Sequence, residues 1–289
     1  MHIPNSELIL NKDGSIYHLH LKPGDIAHTV ITVGDPERVG DVSQYFDEIS
    51  FQVQCREFHT HTGVYKGKKL TVISTGIGTD NIDIVFNELD ALVNIDFKTR
   101  RTKPEFTQLT LVRLGTSGAI QKDIPVDSFL VTERAIGFDS LLHYYGNTSF
   151  LEQDYAMDLM QHLRWDRKKS EPYVVMADAE LLALFHSEAF VKGTTVTNVG
   201  FYGPQGRKLR LELADPTLNE SLQSFRRNNE KITNLEMETA GIYGMAKLLG
   251  HRAISLNAIL ANRATGDFSE NVSKTVDQLI KKTLDLLVV

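Results

Sequence analysis

Residues 109–120 read LTLVRLGTSGAI. The apolar residues first alternate with polar ones and then run almost continuously, which is the pattern of a strand buried inside a sheet. We predict that this strand ends at Gly115, where Thr116, Ser117 and Gly118 follow in succession. Glycines at the end of a strand let backbone N–H groups approach a ligand closely, and hydroxyl groups add further donors. The stretch therefore predicts a buried central strand followed by a turn that can hold a small ligand.

Arg113 lies inside this predicted strand. A guanidinium in a buried strand almost always has a partner. One interpretation is a small bound anion, such as phosphate, because the buried cation then lies beside a turn rich in donors. The other interpretation is an arginine paired with a structural carboxylate, next to an ordinary tight turn. The stretch alone does not decide between the two.

The composition of the whole chain is that of a globular protein with a sizeable core. Of its 289 residues, 42% are hydrophobic and 24% are charged, which is ordinary for such proteins. The formal net charge is −6 without a long basic block, so we expect neither nucleic acid nor an anionic membrane surface as a partner. The single cysteine, Cys55, excludes an internal disulfide and fits a reducing compartment. No apolar run approaches the about 18 residues of a membrane span, and the polar N-terminus does not resemble a signal peptide. We therefore expect a cytoplasmic protein.

Strand-like and helix-like segments alternate along the chain. No internal repeat or low-complexity linker divides them, so we predict one α/β domain over residues 1–289 with a mixed sheet. Residues 1–28 form a polar leader before the first strand. The predicted strands are 29–33, 51–54, 70–74, 109–115, 128–132, 194–199 and 253–259, and the predicted helices include 82–92, 236–249 and 272–280.

Short motifs rich in glycine or charge follow several of the predicted strands. Ligand sites of α/β proteins gather at the C-terminal ends of strands, so these motifs are candidates for one shared site. A further motif places two carboxylates two residues apart, on either side of a methionine. The motifs are GDPER at 34–38, CREF at 55–58, STGIG at 74–78, VRLGTSGAI at 112–120, FYGPQGR at 201–207, LEMETAG at 235–241 and LANR at 260–263.

With these motifs in this order, the chain resembles the nucleoside phosphorylase superfamily, and within it the uridine phosphorylases. The resemblance extends over residues 18–266. It implies a single domain with a central mixed, partly barrel-like β-sheet flanked by helices. It also implies a pentosyltransferase in pyrimidine salvage: phosphate attacks C1′ of the nucleoside, the base leaves, and ribose 1-phosphate forms.

The resemblance assigns a phosphate site to five residues. Gly34, Arg38, Arg113 and Thr116 match positions within one subunit, and Arg56 matches an arginine that reaches in from the neighbouring subunit. Three guanidiniums around a dianion hold it and aim one oxygen at the sugar. Arg113 is accordingly implied to be catalytic.

The resemblance also assigns a ribose site. Glu238 matches the catalytic carboxylate that accepts hydrogen bonds from the 2′- and 3′-hydroxyls, and Met237 lies under the sugar. An acceptor at that place supports the positive charge that develops on the ribose ring. The alternative for Glu238 is a helix N-terminal acid that offsets the helix dipole. His18, in the leader, matches a histidine from the partner subunit near the 5′-hydroxyl, so the resemblance implies a homodimer or a hexamer built as a trimer of dimers.

The base site is where the subfamilies differ. Gln205 and the catalytic Arg207 match the pair that recognises the uracil edge, and Arg263 belongs to the same group. An amide both donates and accepts, and an arginine stabilises charge on the oxygens of a leaving uracil anion. Phe201 is implied to stack near the ring, although a plain core aromatic would look the same in sequence. Purine members place an aspartate where this chain reads Asn262-Arg263, without an acid, so the resemblance implies uridine and phosphate as substrates.

Two departures from the family pattern affect the expectations. Leu260 and Ala261 replace bulkier aliphatic residues, so we expect a roomier pocket. Asn81 stands where some relatives use a serine to bind a monovalent cation, together with Glu57 and the Ile77 carbonyl. A K⁺ ion at this place therefore stays open, and we expect no other cofactor, phosphate being a co-substrate.

Two other interpretations remain from the sequence. The first is a phosphorylase or a hydrolase for purine nucleosides on the same fold; a hydrolase needs a base for water rather than the basic cage of Arg38 and Arg113. The second is a non-catalytic nucleoside-binding protein. It is disfavoured by Glu238, because a protein that only binds needs no acceptor for the transition state.

Overall fold

The computed structural model describes residues 2–288, and Met1 and Val289 lie outside the described part. Within that range the chain forms fourteen strands and seven α-helices. The strands are β1 (Thr29–Val33), β2 (Glu48–Cys55), β3 (Phe58–Tyr65), β4 (Lys68–Ser74), β5 (Ile95–Asp96), β6 (Arg101–Thr102), β7 (Thr110–Ala119), β8 (Phe129–Gly137), β9 (Tyr173–Met176), β10 (Val191–Thr197), β11 (Arg226–Arg227), β12 (Glu230–Glu236), β13 (Arg252–Asn262) and β14 (Asp267–Phe268). The helices are α1 (Glu37–Ser43), α2 (Thr79–Asn94), α3 (Gln153–Leu163), α4 (Ala179–Leu184), α5 (Leu218–Ser224), α6 (Thr239–Leu249) and α7 (Val272–Leu287).

Twelve of these strands form one mixed sheet. β1 lies between β4 and β7 and is parallel to both. From β7 the order continues through β13, β8, β10 and β12, and β12 pairs back with β7. These five strands therefore close into a barrel, while β4, β3 and β2 extend the sheet beyond β1. The predicted α/β fold with a central mixed, partly barrel-like sheet is confirmed.

β7 is the central strand that the sequence predicts, but it does not end at Gly115. It runs to Ala119 and pairs with β13 over that whole length, so the predicted turn from Gly115 to Gly118 is wrong. Glycine at position 115 serves close packing instead, because a Cβ there would overlap the Arg113 guanidinium. The last two residues of β7 pair with β12, which closes the barrel.

The helices cover the sheet with the apolar faces that the sequence pattern predicts. The four apolar residues of the 82–92 stripe are buried in α2, as a helical spacing on one face requires. α6 begins at Thr239 and not at Glu236, because Glu236 is still the last residue of β12. Within residues 2–288, no helix is both long enough and apolar enough to cross a bilayer.

Residues 2–28 contain neither a strand nor an α-helix, yet they pack closely on their own chain. Leu19 and Leu21 are fully buried in the main core. The backbone N–H groups of His18 and Leu19 both donate to the Glu88 carboxylate on α2, at 3.1 and 2.9 Å. The burial of Leu19 and the hydrogen bonds of His18 and Leu19 to Glu88 therefore hold the leader against its own chain.

Candidate active site

A cavity of about 700 Å³ opens where several strands end at the same edge of the sheet. β1, β4 and β12 deliver the residues that follow them to this cavity, and the second half of β7 forms one wall. Ligands of α/β proteins bind at this edge. The lining residues are Gly34, Asp35, Pro36, Arg38, Glu57, Gly76, Ile77, Asn81, Arg113, Gly115, Thr116, Ser117, Gly118, Phe201, Gln205, Arg207, Leu235, Glu236, Met237, Glu238, Leu260, Ala261 and Phe268.

Arg38 brings an unpaired positive charge to one corner of the cavity. It lies in the first turns of α1, and its side chain is half-buried. Among residues 2–288, no carboxylate forms an ion pair with it. Burial lowers the pKa of Arg38, an effect that the nearby charge of Asp35 opposes. A cation held away from water without a carboxylate partner favours an anionic ligand. Gly34 and Thr116 line the same cavity.

Arg113 has the carboxylate partners of one interpretation that its sequence position left open, and its contact with a bound anion stays a prediction. It lines the cavity, yet it is only 6% exposed and already has carboxylate partners. Its Nη2 lies 3.1 Å from Glu236 Oε2 and 2.7 Å from Glu238 Oε2. Its Nη1 donates to Asn257 Oδ1 at 2.9 Å. Burial alone would lower the pKa of Arg113, but the charges of the two glutamates outweigh it and raise the pKa. One guanidinium therefore holds two carboxylates.

Glu236 is the site residue whose function the sequence did not reveal. It is buried at the end of β12, and its carboxylate accepts hydrogen bonds from the backbone N–H groups of Glu238 and Thr239, both at 2.9 Å. Thr197 Oγ1 donates to it at 2.6 Å. These N–H groups open α6, so Glu236 supplies the negative charge at the helix N-terminus. The signal in the sequence was the pair of carboxylates two residues apart. Glu236, at the end of β12, accepts hydrogen bonds from the start of α6, whereas the Glu238 side chain faces Arg113.

The hydrogen bonds of the Glu238 side chain go to Gly78 and Arg113, and its role as an acid that offsets the helix dipole stays an alternative. Its backbone precedes α6, but its side chain makes no capping hydrogen bond. Instead, Oε1 accepts from the Gly78 N–H at 2.9 Å and Oε2 accepts from Arg113 Nη2 at 2.7 Å. Burial raises the pKa of Glu238, the charge of Arg113 opposes this, and the charge of Glu236 reinforces it. Met237 lines the cavity between the two glutamates.

Phe201, Gln205 and Arg207 form a linked group at another part of the cavity. Arg207 Nη1 donates to Gln205 Oε1 and to the Phe201 carbonyl, both at 2.7 Å. The guanidinium carbon of Arg207 lies 3.8 Å from the centroid of the Phe201 ring. Phe201 is 51% exposed, so its interpretation as a plain core aromatic is wrong. Burial and the charge of Arg263 lower the pKa of Arg207 to about 10.

Arg263 lies outside the residues that line the cavity, behind this group. Its Nη1 donates to the Gln205 carbonyl at 3.1 Å and its Nη2 to the Gly206 carbonyl at 3.3 Å. Arg263 thus contacts the main chain of the loop at residues 201–207, and its direct contact with a base stays a prediction. Burial lowers the pKa of Arg263.

Asn262, where the sequence resemblance predicts no acid for a purine base, is fully engaged in the fold. Its amide nitrogen donates to the Gln121 and Ile124 carbonyls at 2.9 and 2.8 Å. Its oxygen accepts from the backbone N–H groups of Ala264 and Thr265 at 2.8 and 3.2 Å. The side chain is buried and does not line the cavity.

Leu260 and Ala261, for which the sequence predicts a roomier pocket, both line the cavity. The larger size of the pocket stays a prediction.

His18 and Arg56 lie outside the cavity of their own chain, close together on the surface. The Arg56 guanidinium carbon is 5.4 Å from the centroid of the Tyr17 ring. That ring packs edge-on against His18, with 4.7 Å between ring centroids. His18 Nδ1 lies 2.6 Å from Glu88 Oε1. The predicted role of both residues in a neighbouring subunit's site stays a prediction.

Glu57, Ile77 and Asn81 lie on one side of the cavity. A carboxylate and a main-chain carbonyl are suitable oxygen donors for a monovalent cation. The amide nitrogen of Asn81, which cannot ligate a cation, faces Gly76 so closely that a Cβ there would overlap it. Within residues 2–288, no three His, Cys, Asp or Glu side chains are grouped to hold a metal ion. Glu57 and the Ile77 carbonyl fit a monovalent cation, which stays a prediction.

Two further lining residues have no role assigned by the sequence motifs. Phe268, in the short strand β14, is 67% exposed at the cavity, and nothing in the dipeptide Asp267-Phe268 indicates that β14 folds back on β13. Asp35 lies in the predicted turn after β1 but was assigned no role, although its charge acts on Arg38.

Comparison with known proteins finds nucleoside phosphorylases similar to this chain in sequence and in fold. A uridine phosphorylase from Thermococcus kodakarensis is 31% identical over 282 residues, which are 96% of this chain and 88% of that protein. A nucleoside phosphorylase from Trypanosoma brucei, which shows uridine phosphorylase activity, superposes with a TM-score of 0.87 at 31% identity, covering 98% of this chain and 99% of that one. A DeoD-type purine nucleoside phosphorylase from Bacillus subtilis is 27% identical over 251 residues, 86% of this chain and 88% of that protein. The family model described as the phosphorylase superfamily matches residues 28–288. The chain therefore belongs to the phosphorylase superfamily.

Proposed function

We infer that this protein catalyses the reversible phosphorolysis of uridine to uracil and ribose 1-phosphate. The observation that carries this inference is the content of one cavity: the unpaired cation Arg38, the buried carboxylate Glu238, and the Gln205–Arg207 pair. The relatives from Thermococcus kodakarensis and Trypanosoma brucei, both associated with uridine phosphorylase activity, support the same reaction. The protein is thus a pentosyltransferase of nucleoside metabolism, and we further propose that it acts in pyrimidine salvage in the cytoplasm.

Phosphate binds at the corner that Arg38 provides with positive charge. Gly34 and Thr116 add a backbone N–H and a hydroxyl, and Arg38 can hold two phosphate oxygens at once. Arg113 is committed to Glu236 and Glu238, so it reaches phosphate only by giving up part of these contacts. Its main work in this proposal is to keep Glu238 in place. The bound phosphate then directs one oxygen at C1′ of the ribose.

Glu238 acts on the ribose. Its two oxygens are fixed by the Gly78 N–H and by Arg113, and the lone pairs that remain accept hydrogen bonds from the 2′- and 3′-hydroxyls. As the glycosidic bond breaks, positive charge develops on the sugar ring, and a fixed carboxylate beside it stabilises that charge. Met237 supplies the apolar surface under the sugar.

Gln205 and Arg207 act on the leaving base. The hydrogen bond from Arg207 orients the Gln205 amide, so that its Nε2 is a donor for a uracil carbonyl while a second lone pair of Oε1 accepts the N3–H. Arg207 stabilises the negative charge on the departing uracil. Phe201, exposed at this place, offers a face for stacking of the base.

A purine substrate is the second candidate, and the cavity disfavours it. A departing purine is helped by protonation of its imidazole ring, and the position that carries the acid in purine members is the structurally engaged Asn262. The four acids that line the cavity are Asp35, Glu57, Glu236 and Glu238, which belong to the phosphate and ribose parts. A protein that only binds nucleosides would have no use for the carboxylate of Glu238 beside the sugar.

The active assembly is proposed to be a homodimer or a hexamer built as a trimer of dimers. His18 and Arg56 lie together around Tyr17 on the outside of the chain, so both can enter a neighbour's cavity across one interface. Arg56 would then complete the phosphate site and His18 would approach the 5′-hydroxyl. For the monovalent cation, Glu57 and the Ile77 carbonyl would be the ligands, and the ion would add positive charge beside the phosphate site.

Product analysis with uridine, cytidine and inosine, each with and without phosphate, tests the function. Uridine should release uracil and ribose 1-phosphate only when phosphate is present. Polar groups left unpaired by the wrong substrate can discriminate by about 10⁴, so cytidine and inosine should react far more slowly. Inosine cleaved as fast as uridine would refute the pyrimidine assignment, and cleavage without phosphate would show a hydrolase.

A further inference from the structure

We propose that Asn219, on α5, is a positioning residue for base recognition: it clamps the main chain at Gln205 and thereby holds the Gln205 amide against the base. This inference rests on the proposed function, since it assigns Gln205 to the base. It concerns a residue that lies outside the cavity and that the sequence motifs did not include. The positioning acts through the Gln205 carbonyl, which accepts hydrogen bonds from the Asn219 and Arg263 side chains.

The contacts of the clamp are specific. Asn219 Nδ2 donates to the Gln205 carbonyl at 3.0 Å, and Arg263 Nη1 donates to the same oxygen at 3.1 Å. Arg263 Nη2 adds a bond to the Gly206 carbonyl at 3.3 Å. The Gln205 carbonyl thus has both of its lone pairs occupied. On the cavity side of the same residue, the Gln205 side chain is 2% exposed and tied to Arg207.

Gly206 makes the approach of Asn219 possible. It adopts a left-handed conformation with φ of 69°, which costs glycine little. A Cβ at this position would lie only 2.5 Å from Asn219 Nδ2, so any other residue would push the amide away. The glycine in the FYGPQGR motif is therefore matched to Asn219, although the two are distant in sequence.

α5 is a firm support for the clamp. Leu218 and Leu222 of this helix are buried in a hydrophobic core cluster together with Ile136 and Val196 of the barrel strands. Asn219 follows directly on Leu218, so the amide is fixed relative to the barrel. The Oδ1 atom of Asn219 is buried without a hydrogen-bond partner in the described range. In the described range, the hydrogen bond of this amide is therefore the one that Nδ2 donates to the Gln205 carbonyl.

The test is Asn219→Ala, measured first without substrate. Alanine is a strong helix former, so α5 should remain intact. Hydrogen exchange of the amides in residues 201–207 should become about three- to tenfold faster, the change expected for loss of one neutral hydrogen bond. Glu220→Gln is the matched control: the side chain is exposed on the same helix, and exchange should not change. Unchanged exchange in Asn219→Ala would overturn the clamp whether or not uridine is the substrate.

Kinetics then tests the positioning role. In Asn219→Ala, the KM for uridine should rise about three- to tenfold and the preference for uridine over cytidine should fall, while the phosphate KM stays unchanged. In a Gln205→Ala background, the same substitution should have no further effect on that preference, because the residue it positions is gone. Faster exchange with an unchanged uridine preference would overturn the positioning role. A wild type that cleaves inosine instead of uridine would defeat the proposed function while the exchange result still decides the clamp.

Discussion

Replacing Arg38 by alanine is the cleanest test of the phosphate site. Because no carboxylate in the described range forms an ion pair with Arg38, its removal leaves no buried charge unpaired. A charge-assisted hydrogen bond contributes about 1.5–3 kcal/mol, which corresponds to a factor of roughly 10 to 150 in binding. We expect the phosphate KM of Arg38→Ala to rise by at least about tenfold, with a much smaller change in the KM for uridine.

The assay is initial-rate kinetics of uridine cleavage at varied phosphate, with the unfolding midpoint measured in parallel. Arg38→Lys is the matched control: it keeps the charge but loses the bidentate geometry, so its phosphate KM should fall between those of the wild type and Arg38→Ala. A folded Arg38→Ala protein with an unchanged phosphate KM would remove this corner of the cavity from the phosphate site. It would also leave the assignment of Gly34 and Thr116 without support.

Three further predictions follow from the same site. Arg113→Ala should lower the free energy of unfolding by about 3–5 kcal/mol, because it removes the cation that two buried carboxylates share. The measurement is urea denaturation, with Arg252→Ala as the control. That control breaks only half-exposed ion pairs and should cost about 1 kcal/mol or less, so equal losses in the two variants would contradict the role of Arg113. The raised pKa of Glu238 means that the ionised form, which accepts the ribose hydroxyls, is lost as the pH falls, already above the ordinary value of 4.5. The pH profile of kcat/KM should therefore fall on its acid side above that value, and a profile flat down to pH 4.5 would refute this. Mixed Arg56→Ala and Glu238→Ala protomers, each inactive alone, should regain activity through hybrid sites when subunits exchange; a fully active wild-type monomer in sedimentation would exclude a shared site.

Much of the fold could be predicted because its elements carry local patterns. The 82–92 stripe has helical spacing and is buried as a helix, and the apolar run of β7 is buried as a strand. The end of β7 could not be predicted, because Gly115 and Gly118 read as turn residues in isolation. In the structure they remain in the strand, since neighbouring strands provide pairing partners and Arg113 needs the space. Tertiary context overrides local propensity at this point.

The residues of the candidate site that could be predicted are those that belong to one of the sequence motifs and also line the cavity. Nine residues assigned to phosphate, ribose or base line one cavity, although they come from separate parts of the sequence: Gly34, Arg38, Arg113, Thr116, Phe201, Gln205, Arg207, Met237 and Glu238. What could not be predicted is which of these residues pair with each other. The ion pairs of Arg113 join β7 to the β12–α6 junction, and no spacing in a sequence encodes a contact of that kind. The same holds for Asn219, whose importance depends on a loop that lies fourteen positions earlier.

The charges of the cavity support the proposed assembly, in which a neighbouring subunit completes the site. Four carboxylates and three guanidiniums line it, and Arg113 is already shared between Glu236 and Glu238. A phosphate dianion would add further negative charge to this cavity. At the proposed phosphate site, Arg38 is the guanidinium that has no ion-pair partner among residues 2–288. Since an uncompensated charge away from water is costly, one more cation would strengthen the proposed phosphate binding. Arg56 of a neighbouring subunit is suited to supply it, because on its own chain it is exposed and its guanidinium stacks on Tyr17. Assembly and phosphate binding are then coupled, and a monomer would lose affinity for phosphate before it loses affinity for the nucleoside.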